Sequence, residues 1–176
     1  TGFQAVKIAR QQSFDVMLLD ISLPDRNGIE ILKQVKKDRP TLAILMLSMH
    51  NEHEFAIRAL KAGAAGYLNK QSAPAQLVVA IRQVATGNNY VSPAVAQELA
   101  NIINTDADKP LHSTLSDREY QTLCFIAAGK TLSEISGEMF LSPKTVSVYR
   151  ARLLEKLKLT NNSELIRYAI KNKLVD

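Results

Sequence analysis

The chain has 176 residues, which is enough for one ordinary domain or two small ones. An apolar fraction of 46% and a charged fraction of 22% are typical of a globular protein and argue against wholesale disorder. The net charge of +5 permits an acidic partner such as nucleic acid without requiring one. A single cysteine, Cys124, excludes an intrachain disulfide framework and a cysteine-rich zinc site. The sequence shows neither a signal peptide nor an apolar run of membrane-spanning length, which predicts a cytoplasmic protein.

The first two-thirds of the chain alternates between helical and strand-like patterns. Helices are predicted over residues 3–12, 28–37, 53–63 and 74–86, and short apolar strands over 16–19, 42–47 and 65–68. Strands that are apolar throughout and alternate with helices are typical of a parallel sheet covered on both faces. The first helix has no strand before it, so we expect that an element or two is missing from the front of this domain.

The last third of the chain carries helix signals and no strand signal. A connecting helix is predicted to about residue 103, and the polar residues 105–114 are expected to form an exposed linker. Four helix starts follow, marked by capping residues at Ser116, Thr131, Ser142 and Asn161. The sequence therefore predicts two unlike domains, over residues 1–87 and 115–176, joined by a helix and a linker over residues 88–114.

The helix that begins at Ser142 combines an apolar seam with a basic outer face. The seam consists of Val146, Tyr149, Leu153 and Leu157. The outer face has short side chains at its centre and positive charges around them, as a helix that enters the major groove requires. The candidate DNA contacts are Lys144, Thr145, Ser147, Val148, Ala151, Arg152 and Lys156. A short helix over residues 132–139 precedes it through a three-residue turn, which predicts a helix-turn-helix. The alternative is a helical bundle with a basic surface.

Polar side chains stand at the ends of the three predicted strands. These are the carboxylate of Asp20, the hydroxyl of Ser48 and the ammonium of Lys70. Ligands of open parallel sheets bind at the carboxyl ends of the strands. The three groups together fit transient phosphorylation, with Asp20 as nucleophile, Ser48 as a hydrogen-bond donor and Lys70 neutralising charge. Taken singly, each residue is also explained by a strand end, a turn start or a loop.

The first domain resembles the receiver domain of two-component response regulators, and the last resembles a LuxR-type helix-turn-helix. Together they resemble the NarL/FixJ family of transcriptional regulators. This implies a flavodoxin-like α/β receiver with a parallel sheet, truncated at its N-terminus, followed by an all-α helix-turn-helix domain of four helices. It also implies that Asp20 is the phospho-acceptor, Ser48 the switch hydroxyl, Tyr67 the switch aromatic and Lys70 the phosphate-contacting lysine.

The resemblance further implies a regulatory cycle. A sensor histidine kinase would phosphorylate Asp20 with Mg²⁺ bound, and Asp20 would be one of the metal ligands. The change would pass through the face built by residues 53–86 and would release or dimerise the DNA-binding domain. The dimerisation residues would be Leu165, Ile166 and Ala169, on a helix that could also close the bundle core. The protein would be a non-enzymatic homodimer that binds two-fold symmetric DNA, with RNA polymerase as a further partner and no membrane partner.

Some family features are missing from this sequence. The Mg²⁺ ligands of the family include an acidic pair at the end of a first strand, which this sequence lacks. We therefore expect that the first strand, the first helix and the second strand of the receiver are absent and that the strand ending at Asp20 is an edge. Either the chain is a fragment of a longer protein, or its numbering starts part-way through one, or another chain supplies these elements. A haloacid-dehalogenase-type phosphatase is disfavoured because Ser22 occupies the position of its second acid. A DNA-binding protein that acts without phosphorylation, and whose receiver remnant serves dimerisation or protein binding, remains the alternative.

Overall fold

The computed structural model describes residues 1–49, 52–72, 74–104 and 110–175. The chain divides into two compact units, Thr1–Asn104 and Thr105–Asp176. The division falls within the segment predicted to join the two domains. The finer domain boundaries at residues 87 and 115 remain predictions.

The first unit alternates helices with the strands of one parallel sheet. Its elements are α1 (Gly2–Gln11), β1 (Val16–Asp20), α2 (Gly28–Asp38), β2 (Ala43–Ser48), α3 (Glu52–Lys61), β3 (Gly66–Asn69), α4 (Pro74–Ala85) and α5 (Pro93–Asn104). The three strands are paired in the order β1-β2-β3. This confirms the predicted parallel α/β fold, and β1 is an edge strand within the sheet that the structure describes.

The sheet is stabilised by apolar side chains that alternate between its two faces. On one face, Leu45 of β2 and Leu68 of β3 pack with Ala80 and Val84 of α4 in a buried cluster. In a strand, successive side chains point to opposite faces, so Ile44 and Met46, which are fully buried, lie on the other face. Covering both faces keeps the strands fixed in register, and this places their carboxyl ends at one edge.

The second unit contains four α-helices in its described part. After a short 3₁₀ helix (Leu111–Thr114) come α6 (Asp117–Ala127), α7 (Leu132–Met139), α8 (Pro143–Leu157) and α9 (Asn162–Lys171). Each predicted capping residue accepts a hydrogen bond from the first turn of its helix. Helix α6 packs against both α8 and α9, and α7 packs against α8. The predicted all-α domain is confirmed.

Part of the predicted linker is packed instead of exposed. Residues 105–109 lie outside the described residues, but His112 is buried in the 3₁₀ helix. Its backbone N–H donates to the Tyr168 hydroxyl at 3.2 Å, and its ring contacts the Tyr168 ring edge-on with centroids 5.9 Å apart. The polarity of this segment indicated a loop, whereas the contact with α9 could not be read from local sequence. No helix in the described part of the chain is long and apolar enough to cross a membrane.

Candidate functional site

The parallel register brings the predicted rim residues to one edge of the sheet. Asp20 ends β1 beside Leu47, Ser48 ends β2 beside Asn69, and Lys70 directly follows β3. The Lys70 Nζ donates to the Asp20 carboxylate, and the Lys70 backbone N–H donates to the Ser48 carbonyl at 2.8 Å. The carboxylate and the ammonium expected at separate strand ends therefore form an ion pair.

The Asp20 carboxylate is held at the surface by two donors. Its Oδ1 accepts from the Ser22 backbone N–H at 3.0 Å, and its Oδ2 accepts from Lys70. The side chains of Asp20 and Lys70 keep 26% and 35% of their surface exposed. An ion pair this exposed contributes about 1 kcal/mol or less. Lys70 can therefore exchange the carboxylate for another anion at this position at little cost.

Ser48 and Tyr67 lie beneath this rim. Ser48 is 1% exposed and Tyr67 is 2% exposed, so both side chains belong to the interior of the first unit. Tyr67 stands beside Met46 in the sheet, and its backbone N–H donates to the Tyr90 carbonyl at 3.2 Å. Ser48 ends the strand next to β1, and Tyr67 lies three residues before Lys70 in β3. Their switch roles remain predictions.

Gly28 sets the position of the loop that follows Asp20. Helix α2 begins directly against the end of β1: the Gly28 N–H donates to the Ile21 carbonyl at 2.8 Å, and the Asn27 side chain caps the helix by accepting from Ile29 at 2.8 Å. A Cβ on Gly28 would lie 2.1 Å from the Asp20 carbonyl oxygen and 2.8 Å from the Ile21 Cα. Only glycine allows this close approach of two backbones.

Replacing Gly28 with alanine should therefore destabilise the first unit by about 2–3 kcal/mol, because the obstructing atoms are backbone and cannot rotate away. Thermal unfolding followed by circular dichroism measures this effect. Gly137→Ala is the contrasting variant, since a Cβ there meets nothing within 4 Å. Gly137 lies within α7, so its replacement should stabilise the second unit by about 0.5–1 kcal/mol. Equal and small effects at both glycines would contradict the close contact at Gly28.

Asp25 binds the start of α1 from a distant part of the chain. Its Oδ1 and Oδ2 accept from the backbone N–H groups of Gly2 and Phe3 at 2.7 and 2.9 Å, at the start of α1. Burial alone would raise the pKa of Asp25, but the hydrogen bonds from Gly2 and Phe3 outweigh it and lower the pKa below its ordinary value. The partners are more than 20 residues away in the chain, so no local pattern could have indicated them.

Asp20 is the Mg²⁺ ligand that the family resemblance implies in this sequence, and the structure shows which groups its carboxylate contacts. Mg²⁺ takes six oxygen ligands, usually including one or two carboxylates. The Asp20 carboxylate is bound to Lys70, and Asp25 is bound to the amides of α1. Among the residues that the structure describes, no group of three or more His, Cys, Asp or Glu side chains could hold a metal ion.

Helix α8 presents the predicted face of the second unit to solvent. Val146, Leu153 and Leu157 are buried, which confirms three members of the apolar seam, and Tyr149 is half-buried. The exposed residues of the opposite face include Lys144, Ser147, Val148, Ala151 and Arg152, whereas Thr145 is half-buried. The helix begins at Ser142, whose Oγ accepts from the Thr145 N–H at 3.1 Å. The exposed face thus combines two long cations with small side chains, as predicted.

Two further cations of α8 are engaged within the second unit. The Lys156 Nζ donates to Glu119 Oε2 of α6 at 2.7 Å. The Arg150 Nε donates to Asn162 Oδ1 of α9 at 2.6 Å. Lys156 was among the predicted DNA contacts, and its partner on α6 was not visible from the sequence because it lies 37 residues away.

The predicted dimerisation residues lie mostly inside the second unit. Leu165 and Ala169 are fully buried, in a helix that packs against α6, and Ile166 is half-buried. Leu165 and Ala169 therefore close the core of the helical bundle, as the alternative to a dimerisation role predicted. On the same helix, Ile170 is 59% exposed. A role of α9 in dimerisation remains a prediction.

Both units match known protein families. The response regulator receiver domain matches residues 1–82, and the LuxR family of bacterial regulatory proteins matches residues 113–169. Response regulator UvrY from Escherichia coli (strain K12) is 37% identical over 174 residues, which cover 98% of this chain and 80% of UvrY. Response regulator GacA from Pseudomonas aeruginosa is 37% identical over 177 residues, covering 99% of this chain and 82% of GacA.

A solved structure extends this similarity. RcsB from Salmonella enterica serovar Typhimurium, bound to a promoter in the presence of the phosphomimetic BeF₃⁻, is 26% identical with a TM-score of 0.53 and covers 95% of this chain and 80% of its own. Two domain matches in this order, together with relatives at 37% identity over nearly the whole chain, establish the family. The chain belongs to the NarL/FixJ family of two-component response regulators, which control transcription through a LuxR-type DNA-binding domain.

Proposed function

We propose that Asp20 is the phospho-acceptor of this response regulator and that Lys70 and Ser48 contact the phosphoryl group, with Tyr67 responding to it. The observation that carries the proposal is the ion pair between Lys70 and the exposed Asp20 carboxylate at the carboxyl edge of the sheet. A nucleophile requires an accessible lone pair, and a phosphoryl group requires a nearby cation. This edge supplies both.

The chemistry follows from these groups. A carboxylate oxygen of Asp20 attacks the phosphorus of a phosphohistidine on a sensor kinase, forming a P–O bond. The P–N bond breaks, and its electron pair returns to the imidazole of the donor. The new phosphoryl oxygens replace the carboxylate as the partner of Lys70. Ser22, at the place of the second acid of a haloacid-dehalogenase-type phosphatase, donates its backbone N–H to Asp20, so we propose that the site accepts the phosphoryl group without a general acid at this position.

Phosphoryl uptake by the chain tests this proposal. The chain is incubated with acetyl phosphate in a magnesium-containing buffer, and its intact mass is measured. We expect a mass increase of one phosphoryl group that hydroxylamine removes, because hydroxylamine cleaves acyl phosphates and leaves phosphate esters intact. An unchanged mass, or an adduct that resists hydroxylamine, would contradict the assignment.

A second candidate function is that of a transcription regulator that acts without phosphorylation. It is supported by the described residues, which contain no group of three or more His, Cys, Asp or Glu side chains that could hold a metal ion. Such a phosphorylation-independent regulator would bind DNA whether or not Asp20 carries a phosphoryl group, and its first unit would serve dimerisation or protein binding. The two candidates differ in whether the phosphoryl group changes DNA affinity.

The DNA-binding surface that we propose is the exposed face of α8. Recognition helices of helix-turn-helix proteins contact base edges through their N-terminal residues and phosphates through nearby basic side chains. Lys144 and Arg152 would contact phosphates, and Ser147, Val148 and Ala151 would approach the bases. The related RcsB is described bound to a promoter, and two RcsB dimers are described bound to two parallel DNAs. These complexes support a homodimer that binds DNA. We further propose that its DNA site is two-fold symmetric, that its other partner is a sensor histidine kinase and that it acts in the cytoplasm.

Dimerisation on DNA should depend on the exposed face of α9. We expect Ile170→Lys to reduce cooperative binding to a duplex with two half-sites by about tenfold, because a charge would be placed in an apolar contact between protomers. Binding to a single half-site should be unchanged. Ile8→Lys is the matched control, since Ile8 is an isoleucine of α1 that is 45% exposed. Equal cooperativity in both variants would exclude Ile170 from the dimer interface; gel-shift titrations measure it.

A further inference from the structure

Glu119 is a buried carboxylate at the start of α6. Its side chain is 3% exposed, and its Oε2 accepts from the Ser116 backbone N–H at 2.8 Å and from the Lys156 Nζ at 2.7 Å. Burial alone would raise the pKa of Glu119, but the hydrogen bonds from Lys156 and Ser116 outweigh it and lower the pKa below its ordinary value. Glu119 is therefore ionised at neutral pH and needs its cationic partner.

Lys156 joins the last turn of α8 to this carboxylate. The buried residues Leu153 and Leu157 flank it in sequence and fix that turn in the core. Its side chain is 39% exposed, while its ammonium is directed to Glu119 on a different helix. An ammonium held by a buried carboxylate is restrained and is already neutralised, and both features make it a poor phosphate contact.

Lys156 lies at the opposite end of α8 from Lys144, so a change of helix angle at Lys156 displaces the DNA-binding end of the helix. Lys144 and Lys156 are about 18 Å apart along the helix axis at the usual rise per residue. A tilt of the helix by about 5° at the Lys156 end would move its N-terminal turn by roughly 1.5 Å, a shift that the long Lys144 side chain can follow but that the short side chains beside it cannot. Base contacts are made by the N-terminal part of a recognition helix, so a small rotation at the C-terminal end changes the fit in the groove.

We propose that Lys156 is a positioning residue that fixes the angle of α8 through Glu119 and makes no contact with DNA phosphate. The inference rests on the proposed DNA interface of α8. It separates the cations of this helix into two groups, with Lys144 and Arg152 acting on DNA and Lys156 acting on α6.

The salt dependence of DNA binding distinguishes a positioning residue from a phosphate contact. The full chain is titrated with a duplex selected from a random pool, at several salt concentrations, for Lys156→Gln, Glu119→Gln and the double variant. Lys144→Gln serves as the phosphate-contact comparison. Loss of one phosphate contact should reduce the slope of log affinity against log salt by about 0.9. Loss of a positioning contact should leave this slope unchanged.

We expect Lys156→Gln and Glu119→Gln to weaken binding by a similar factor, about 5- to 30-fold, with the slope of the unmodified chain. The double variant should bind no more weakly than the worse single variant, because both single changes break one contact. Lys156→Arg, which retains the charge and a donor for Glu119, should restore most of the affinity. Glu119→Gln is the sharpest variant, because removing a negative charge favours DNA binding on electrostatic grounds alone.

The proposal would be overturned if Lys156→Gln lowered the slope as Lys144→Gln does while Glu119→Gln bound as tightly as the unmodified chain or more tightly. Circular dichroism verifies that each variant is folded, and Glu119→Gln and Lys156→Arg carry the test if Lys156→Gln is not. If Lys144→Gln also left the slope unchanged, the α8 interface itself would fail, and the positioning role would fail with it. A lowered slope in Lys156→Gln would contradict only the positioning role of Lys156, whereas an unchanged slope in Lys144→Gln would contradict the proposed DNA interface.

Discussion

Asp20→Asn should abolish phosphoryl uptake from acetyl phosphate, leaving no adduct in the intact mass. The amide oxygen of asparagine is nearly isosteric with a carboxylate oxygen but is a far weaker nucleophile, so the P–O bond cannot form. The fold should be retained, because the lost ion pair with Lys70 is partly exposed and contributes about 1 kcal/mol or less. Intact mass and circular dichroism measure the two effects separately.

Asp15→Asn is the matched control for this variant. Asp15 is an exposed aspartate that precedes β1 at the opposite end of the strand from Asp20. The same chemical change there should leave the adduct at the level of the unmodified chain. An adduct that survives in Asp20→Asn, or that disappears in Asp15→Asn, would place the phosphoryl group elsewhere.

The second large effect is expected on the DNA-binding face of α8. Lys144→Ala and Arg152→Ala should each weaken binding by about tenfold at 0.1 M salt, and each should reduce the salt slope by about 0.9, since each removes one phosphate contact. The loss should be the same on every sequence, because phosphate contacts carry no base information. Gel-shift titrations on a selected duplex and on a scrambled duplex measure both quantities.

Val148→Ala should behave differently. Val148 is 43% exposed at the centre of the face, where an apolar side chain can contact a thymine methyl group. We expect weaker preference for the selected duplex over the scrambled one, by about fivefold, with an unchanged salt slope. Equal losses on both duplexes would exclude a base-reading role for Val148.

The sequence predicted the elements whose signals are local. Strand β1 and the acid at its end, the caps at Ser116 and Ser142, and the seam of α8 depend on residues within a few positions of one another, and each was found where it was expected. The juxtaposition of Asp20 with Lys70 was also predictable, because the carboxyl ends of parallel strands meet at one edge.

Long-range contacts were not predictable in the same way. Three such contacts join residues more than 20 positions apart. They are the hydrogen bonds of Asp25 to the start of α1, of Lys156 to Glu119 and of His112 to Tyr168. A helical projection of α8 alone places Lys156 beside the apolar seam, but it cannot show that the partner of Lys156, Glu119, lies on a neighbouring helix. The face of a helix is encoded locally, whereas the partner of each side chain on that face depends on the packed fold.

We propose that the phosphorylation state of Asp20 controls the DNA affinity of α8. The affinity for the selected duplex is measured before and after treatment with acetyl phosphate, in the unmodified chain and in Asp20→Asn. Coupling between two sites typically changes affinity by about 5- to 150-fold. We predict a gain in that range for the unmodified chain and none for Asp20→Asn. An unmodified chain that acquires the adduct and binds DNA with unchanged affinity would contradict the claim.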